Sequence, residues 1–267
     1  MRLPKVDYHM HTPLCGHAVG EPAAYVEQAL KVGLSEVGFS DHAPLVAYPN
    51  PKYTMSDAQL PEYHRMMKEL RARYPKFTVK IGIEADYIPG FEEKTRRILE
   101  GYPYDFVIGS IHFIDNWAFD DPDEHVKWKE KDIDRVYRDY YELLRRSASS
   151  GLFDIMGHVD LVKKFGHRPH ADLTDEIERT ARTFREAGVT VEINTSGLRK
   201  PVKEIYPSLD ALKVYRKAGV PITFSSDSHD PADVGRDYDR AAKLARAAGY
   251  TEYRVFRARK VERMEAL

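Results

Sequence analysis

The chain has almost no cysteine, almost no net charge and no long apolar run, and each shortage removes a class of protein. A single cysteine, Cys15, excludes an internal disulfide. A formal net charge of -1 over 267 residues argues against a polyanion binder, which carries a basic excess or a basic stripe. No uninterrupted apolar stretch approaches the roughly 20 residues that a membrane helix needs. The opening MRLPKVDYHMH lacks signal-peptide architecture, so the sequence reads as cytoplasmic. Repeats, low-complexity tracts and flexible linkers are missing too, and one domain over residues 1–267 is expected.

What is there is an ordinary globular composition, 42% hydrophobic and 31% charged. Its organisation is alternation. Short apolar or β-branched runs at 6–9, 37–40, 79–84, 106–112, 153–158, 190–194 and 221–225 read as buried strands. Amphipathic helical stretches separate them at 22–32, 61–74, 133–150, 175–187, 209–218 and 238–248. Gly33, Gly188 and Gly219 sit where a left-handed helix stop is wanted. Residues 252–258 have the makings of a further strand, and the charge-rich 127–138 reads as a solvated helical face. Strands alternating with helices in this way imply an α/β fold with a parallel sheet, closed or nearly closed into a barrel.

Nearly every expected strand ends in a residue able to ligate a metal. The first ends His9-Met10-His11, whose two imidazoles project to one face of an extended chain. The others end at His42, Glu84, His112, His158 and the pair Asp227/His229, with His17 in the loop after the first strand. A parallel barrel brings such ends to one face, where its chemistry is placed. Seven of the 11 histidines fall in this pattern. His64, His125, His167 and His170 lie in helical or loop context and read as solvated, and Cys15 as packing. Seven histidines with Glu84 and Asp227 exceed the donor set of one ion, so two or three ions fit better. Imidazole-rich donors suit zinc, iron or manganese more than magnesium or calcium.

The strings DYHMHTPLCGHA, VGFSDHAPL, GIEADYIPG, DFVIGSIHFID, FDIMGHVDLVKKFG, EINTSGLRKP and ITFSSDSHDPADVG resemble the PHP (polymerase and histidinol phosphatase) superfamily of metallophosphoesterases. They are most similar to its histidinol-phosphate phosphatase branch. That resemblance implies a distorted (β/α)7 barrel with three divalent or trivalent metal ions, zinc, iron or manganese, at the strand C-termini. It places His9, His11, Glu84 and Asp227 on the first ion, Glu84, His112 and His158 on the second, and His17, His42 and His229 on the third. It assigns catalytic roles to Glu84, Asp227, His42 and Arg199, with His42 and Arg199 touching substrate. The implied reaction is attack of a metal-bound hydroxide on the phosphorus of L-histidinol phosphate, Arg199 and the metals holding the phosphate. Asp41, and more weakly Asp7, are expected to orient ligand histidines. Asp86, Tyr87 and Lys163 are candidates for reading the rest of the substrate. The expected partner is a small-molecule phosphate monoester, neither nucleic acid nor membrane, and a homo-oligomer is left open. Other phosphoesters, a non-catalytic metal-binding module and an amidohydrolase are the rival readings.

Overall fold

The computed structural model describes residues 2–47, 50 and 52–267. All seven expected strands form. In chain order the strands are β1 (Val6–Asp7), β2 (Glu36–Phe39), β3 (Thr78–Asp86), β4 (Phe106–Ser110), β5 (Phe113–Ile114), β6 (Trp117–Ala118), β7 (Ile155–Met156), β8 (Thr190–Asn194), β9 (Ile222–Ser225), β10 (Glu252–Arg257) and β11 (Lys260–Ala266). Between them lie α1 (Pro22–Lys31), α2 (Leu60–Arg73), α3 (Glu92–Glu100), α4 (Ile133–Ser149), α5 (Thr174–Ala187), α6 (Leu209–Lys217) and α7 (Tyr238–Ala247). Strands β1, β2, β3, β4, β7, β8 and β9 pair in parallel in that order.

The last of these strands meets the first. Tyr8 N donates to Phe224 O at 3.3 Å, Ser228 N to His9 O at 3.0 Å and His11 N to Ser228 O at 2.9 Å. The sheet is therefore a near-closed, distorted (β/α)7 barrel. Inside it, size is traded between neighbouring strands. A Cβ on Gly82 would sit 2.4 Å from the Phe106 ring, and one on Gly38 would sit 2.5 Å from it. Two glycines thus admit one fully buried phenylalanine, as close packing of an interior requires.

The barrel strands stop early in a regular way. β1, β4, β7 and β9 each end two residues before His9, His112, His158 and Asp227. The strands expected at 6–9, 106–112 and 153–158 overshoot by two residues because those last residues leave the ladder to face the barrel mouth, whereas the one expected at 221–225 ends where β9 does.

Other differences have local causes. α3 is an addition to the expected helices: Glu92–Glu100 is highly charged, with only Ile98 and Leu99 to form an apolar face. The stretch 127–138 is not one helix: a 3-10 segment over Pro122–Glu130 precedes α4, which Asp132 caps by accepting from Arg135 N at 3.2 Å. Nor is that stretch wholly solvated. Trp128 is buried, and its indole N–H donates to Phe119 O at 2.9 Å. The strand expected at 252–258 forms as β10 but pairs antiparallel with β11, outside the barrel sheet. Among the described residues no helix is long and apolar enough to cross a membrane.

Candidate metal centre

The strand ends gather the expected side chains at one mouth of the barrel, around Glu84. Its Oε2 lies 2.9 Å from His42 Nδ1, 3.1 Å from His9 Nε2 and 3.8 Å from His11 Nε2. Its Oε1 lies 3.2 Å from His158 Nε2 and 3.8 Å from His112 Nε2. The two oxygens of one carboxylate therefore face different sets of imidazoles, the arrangement a bridging ligand needs. Asp227 closes the first set from β9, with Oδ1 3.3 Å from His11 Nε2 and 3.9 Å from His9 Nε2. His17, His42 and His229 form a separate triad whose ligand atoms all lie within 4.8 Å of one another. The same closeness joins His9, His158 and Asp227, and also His42, Glu84 and His112, so the clusters share walls.

Buried carboxylates hold the imidazoles from behind. Asp86 Oδ1 lies 3.0 Å from His112 Nδ1 and accepts from His112 N at 3.1 Å. Asp41 Oδ1 lies 3.5 Å from His11 Nδ1 without a hydrogen bond to it; its carboxylate accepts instead from Thr12 and from His42 N at 2.9 Å, so the expected hold on a ligand imidazole is not made through this contact. Asp7 differs from expectation. Its carboxylate accepts from Ser226 N at 2.9 Å and Gly235 N at 3.0 Å, and it ties β1 to the end of the barrel instead of orienting an imidazole. Glu192, on β8, was missed: its Oε1 lies 2.7 Å from His9 Nδ1 and its Oε2 accepts from His158 N at 2.7 Å. The available signal was the alternation Glu192-Ile193-Asn194, which puts both polar residues on one face of a buried strand.

The electrostatics follow from packing these groups together. Burial works to raise the Glu84 pKa, but the His9 and His42 imidazoles outweigh it and hold the carboxyl well below its usual range. Asp227 is held low against burial by His9 and His11. Burial, with His42 beside it, drives His11 down to about 3, and burial with His11 drives His229 well down. At neutral pH the centre thus offers ionised carboxylates and, at these two histidines, neutral imidazoles, which is the donor state a metal takes.

Several atoms of the cluster lie close to one another without forming a hydrogen bond. His9 Nε2, both nitrogens of His11, Glu84 Oε2, His158 Nδ1 and His229 Nε2 are buried and make no hydrogen bond. A native interior pairs such atoms, so this concentration at one point calls for something to bind them. Nitrogen and carboxylate donors in this mixture fit first-row transition metals. The residues present fit metal ions.

A family profile described as PHP domain matches residues 7–196. The chain belongs to the PHP domain family. It is 39% identical over 246 residues to the probable histidinol-phosphatase of Deinococcus radiodurans, an alignment covering 91% of this chain and 93% of that protein. The histidinol-phosphatase of Bacillus subtilis is 33% identical, with 88% of this chain and 97% of the relative covered. The crystal structure of histidinol phosphate phosphatase from Lactococcus lactis, complexed with zinc, L-histidinol and phosphate, superposes with a TM-score of 0.85 at 25% identity. That superposition covers 98% of this chain and all of that one, at 100%.

At the mouth of this PHP barrel, Arg199 sits on the 3-10 turn Thr195–Arg199 that follows β8. Its Nη2 donates to Ser226 O at 2.6 Å and its Nε lies 3.1 Å from Asp233 Oδ2, while Nη1 is buried without a partner. The three candidates for reading the substrate are engaged elsewhere. Asp86 holds His112, Tyr87 donates to Glu92 at 2.8 Å, and Lys163 is buried 2.8 Å from Asp160 and 3.0 Å from Ile205 O.

The histidines outside the PHP motif strings stay outside the centre. His64 is not solvated, however. It is buried on α2 and stacked on Tyr102 with ring centroids 3.8 Å apart. His167 lies flat on Trp128 with its Nε2 3.3 Å from His125 Nε2, and His170 donates its backbone N–H to Asp134 at 2.6 Å. Cys15 is buried with its sulfur within 4.8 Å of the ligand atoms of His11 and His229, and burial pushes its thiol pKa far up.

Proposed function

We propose that this chain is a metal-dependent phosphomonoesterase that hydrolyses L-histidinol phosphate to L-histidinol and phosphate, a step of histidine biosynthesis. The observation that carries the reading is the position of Glu84, whose two oxygens face imidazoles brought by different strands. Relatives named histidinol-phosphatase match nearly end to end, and one sharing the fold was crystallised with zinc, L-histidinol and phosphate.

His9, His11, Glu84 and Asp227 would hold one ion, Glu84, His112 and His158 a second, and His17, His42 and His229 a third. Zinc, iron and manganese all suit these donors. Bound metal supplies a route to deprotonated water near neutral pH and fixed positive charge beside the phosphoryl oxygens.

The reaction breaks the bond between phosphorus and the alcohol oxygen, joins a water oxygen to phosphorus and returns a proton to the departing alcohol. The chain's own part is to bind and orient. Arg199 is locked in place by Ser226 and Asp233, which leaves Nη1 to donate to a phosphate oxygen. His42, on the same mouth, borders the space a phosphoryl group would enter, and Glu84 and Asp227 fix the ligand set beneath it.

Steady-state kinetics on metal-quantified protein tests the substrate. Histidinol phosphate should show the highest kcat/KM in a panel of phosphate esters that includes a generic aryl phosphate and an oligonucleotide. Equal turnover across the panel, or none on histidinol phosphate, would contradict the proposal.

A further inference from the structure

We infer that Glu192 is a positioning residue for the metal centre, setting both the tautomer of His9 and the backbone of His158; this rests on the metal-centre reading above. The carboxylate is fully buried on β8, and three donors converge on its two oxygens. Oε1 lies 2.7 Å from His9 Nδ1. Oε2 accepts from His158 N at 2.7 Å and from Asn194 Nδ2 at 3.0 Å.

Each of these bonds reaches a ligand. A carboxylate only accepts, so Nδ1 of His9 keeps its proton, and Nε2, which faces the space beside Glu84 and Asp227, is the nitrogen that would turn its lone pair to a metal. His158 has a φ of 22°, a left-handed value that a side-chain-bearing residue adopts at a cost. The bond from its N–H to Glu192 holds that backbone, and with it the ring whose Nε2 lies 3.2 Å from Glu84. Asn194 carries the link onward. Its amide orientation is fixed by Ser196 N donating to Oδ1 at 2.8 Å, and Nδ2 also lies 3.3 Å from Asp227 Oδ2. One side chain on β8 thus sets ligands that come from the segments just past β1, β7 and β9.

The three-into-two arrangement makes Glu192→Gln diagnostic. An amide has the same shape but only one acceptor atom, and its NH2 group must face either the one donor on Oε1 or the two on Oε2. Either His9 is forced to the wrong tautomer or the His158 and Asn194 donors lose their acceptor.

The test is metal affinity, measured by chelator competition with zinc on the full chain. Glu192→Gln should bind zinc roughly 10- to 100-fold more weakly, the loss typical of a removed supporting carboxylate. Glu36→Gln serves as the control. Glu36 is also a buried carboxylate, bonded to Tyr8, but it lies at the start of β2, the opposite end of the barrel. It should cost stability and leave zinc affinity unchanged. Parent-like affinity in Glu192→Gln, or an equal loss in both variants, would overturn the role of Glu192. Absence of zinc binding by the parent would instead remove the metal-centre reading, and this inference with it. If Glu192→Gln does not fold, long-range 1H–15N spectra of the zinc-loaded parent decide. A proton on His9 Nδ1 with Nε2 on the metal supports the inference, and Nδ1 on the metal overturns it.

Discussion

Arg199 binds the protein through Nε and Nη2 and leaves Nη1 buried and unpaired, a costly state for a guanidinium unless an anion arrives. A hydrogen bond to a charged group is worth about 1.5–3 kcal/mol. Arg199→Ala should therefore lower kcat/KM on histidinol phosphate by roughly 10- to 150-fold, with bound metal unchanged. Arg199→Lys should recover little, since an ammonium cannot reach Ser226, Asp233 and a phosphate from one planar fork. Kinetics on metal-quantified variants check this, and loss of metal in step with activity would assign the residue to the centre's structure instead. The sequence showed Arg199 only through the string SGLRKP; nothing in residue type separates it from a surface arginine. Arg246 also has a buried, unpaired Nη1; what sets Arg199 apart is that its orphaned nitrogen lies on the turn after β8, anchored to Ser226 beside Asp227, a placement that exists only once β8 and β9 are side by side.

Helix α2 carries a group whose charge state depends on packing. His64 is buried against Tyr102 and Tyr104, with neither ring nitrogen hydrogen-bonded, and burial lowers its pKa to about 4. In the unfolded chain the same imidazole titrates near 6.5. Between those values the unfolded state binds the proton and the folded state does not, so stability from this site falls as pH drops from about 6.5 toward 4. His64→Phe should flatten that dependence. Urea unfolding of parent and variant at pH 7 and pH 5 checks it, and the parent should lose more stability between the two. Most elements were legible at this scale because their apolar periods were strong. β11 was not, since Lys260–Ala266 is almost entirely exposed and has no buried face of its own. His64 was read as solvated because a histidine within a charged helix gives no sign of which face it takes.

At the scale of the whole molecule, the ends of six strands bring candidate ligands from residue 9 to residue 229 to one barrel mouth. The roster of candidate donors by type was readable, since histidines recur just past five of the seven barrel strands. Their partition was less so. Glu84 Oε1 lies 3.8 Å from His112 and 3.2 Å from His158, yet the mutually close groups they fall in are His158 with His9 and Asp227, and His42 with Glu84 and His112. Only three-dimensional closeness reveals these shared walls, just as only the buried contacts of Glu192 reveal what stands behind them. The most direct measurement is anomalous diffraction from crystals of the protein loaded with zinc. Ions should appear on both sides of the Glu84 carboxylate, one approached by His9 and His11 and another by His112 and His158. Zinc lying elsewhere, or leaving Glu84 uncoordinated, would contradict the claim that this carboxylate joins the centre.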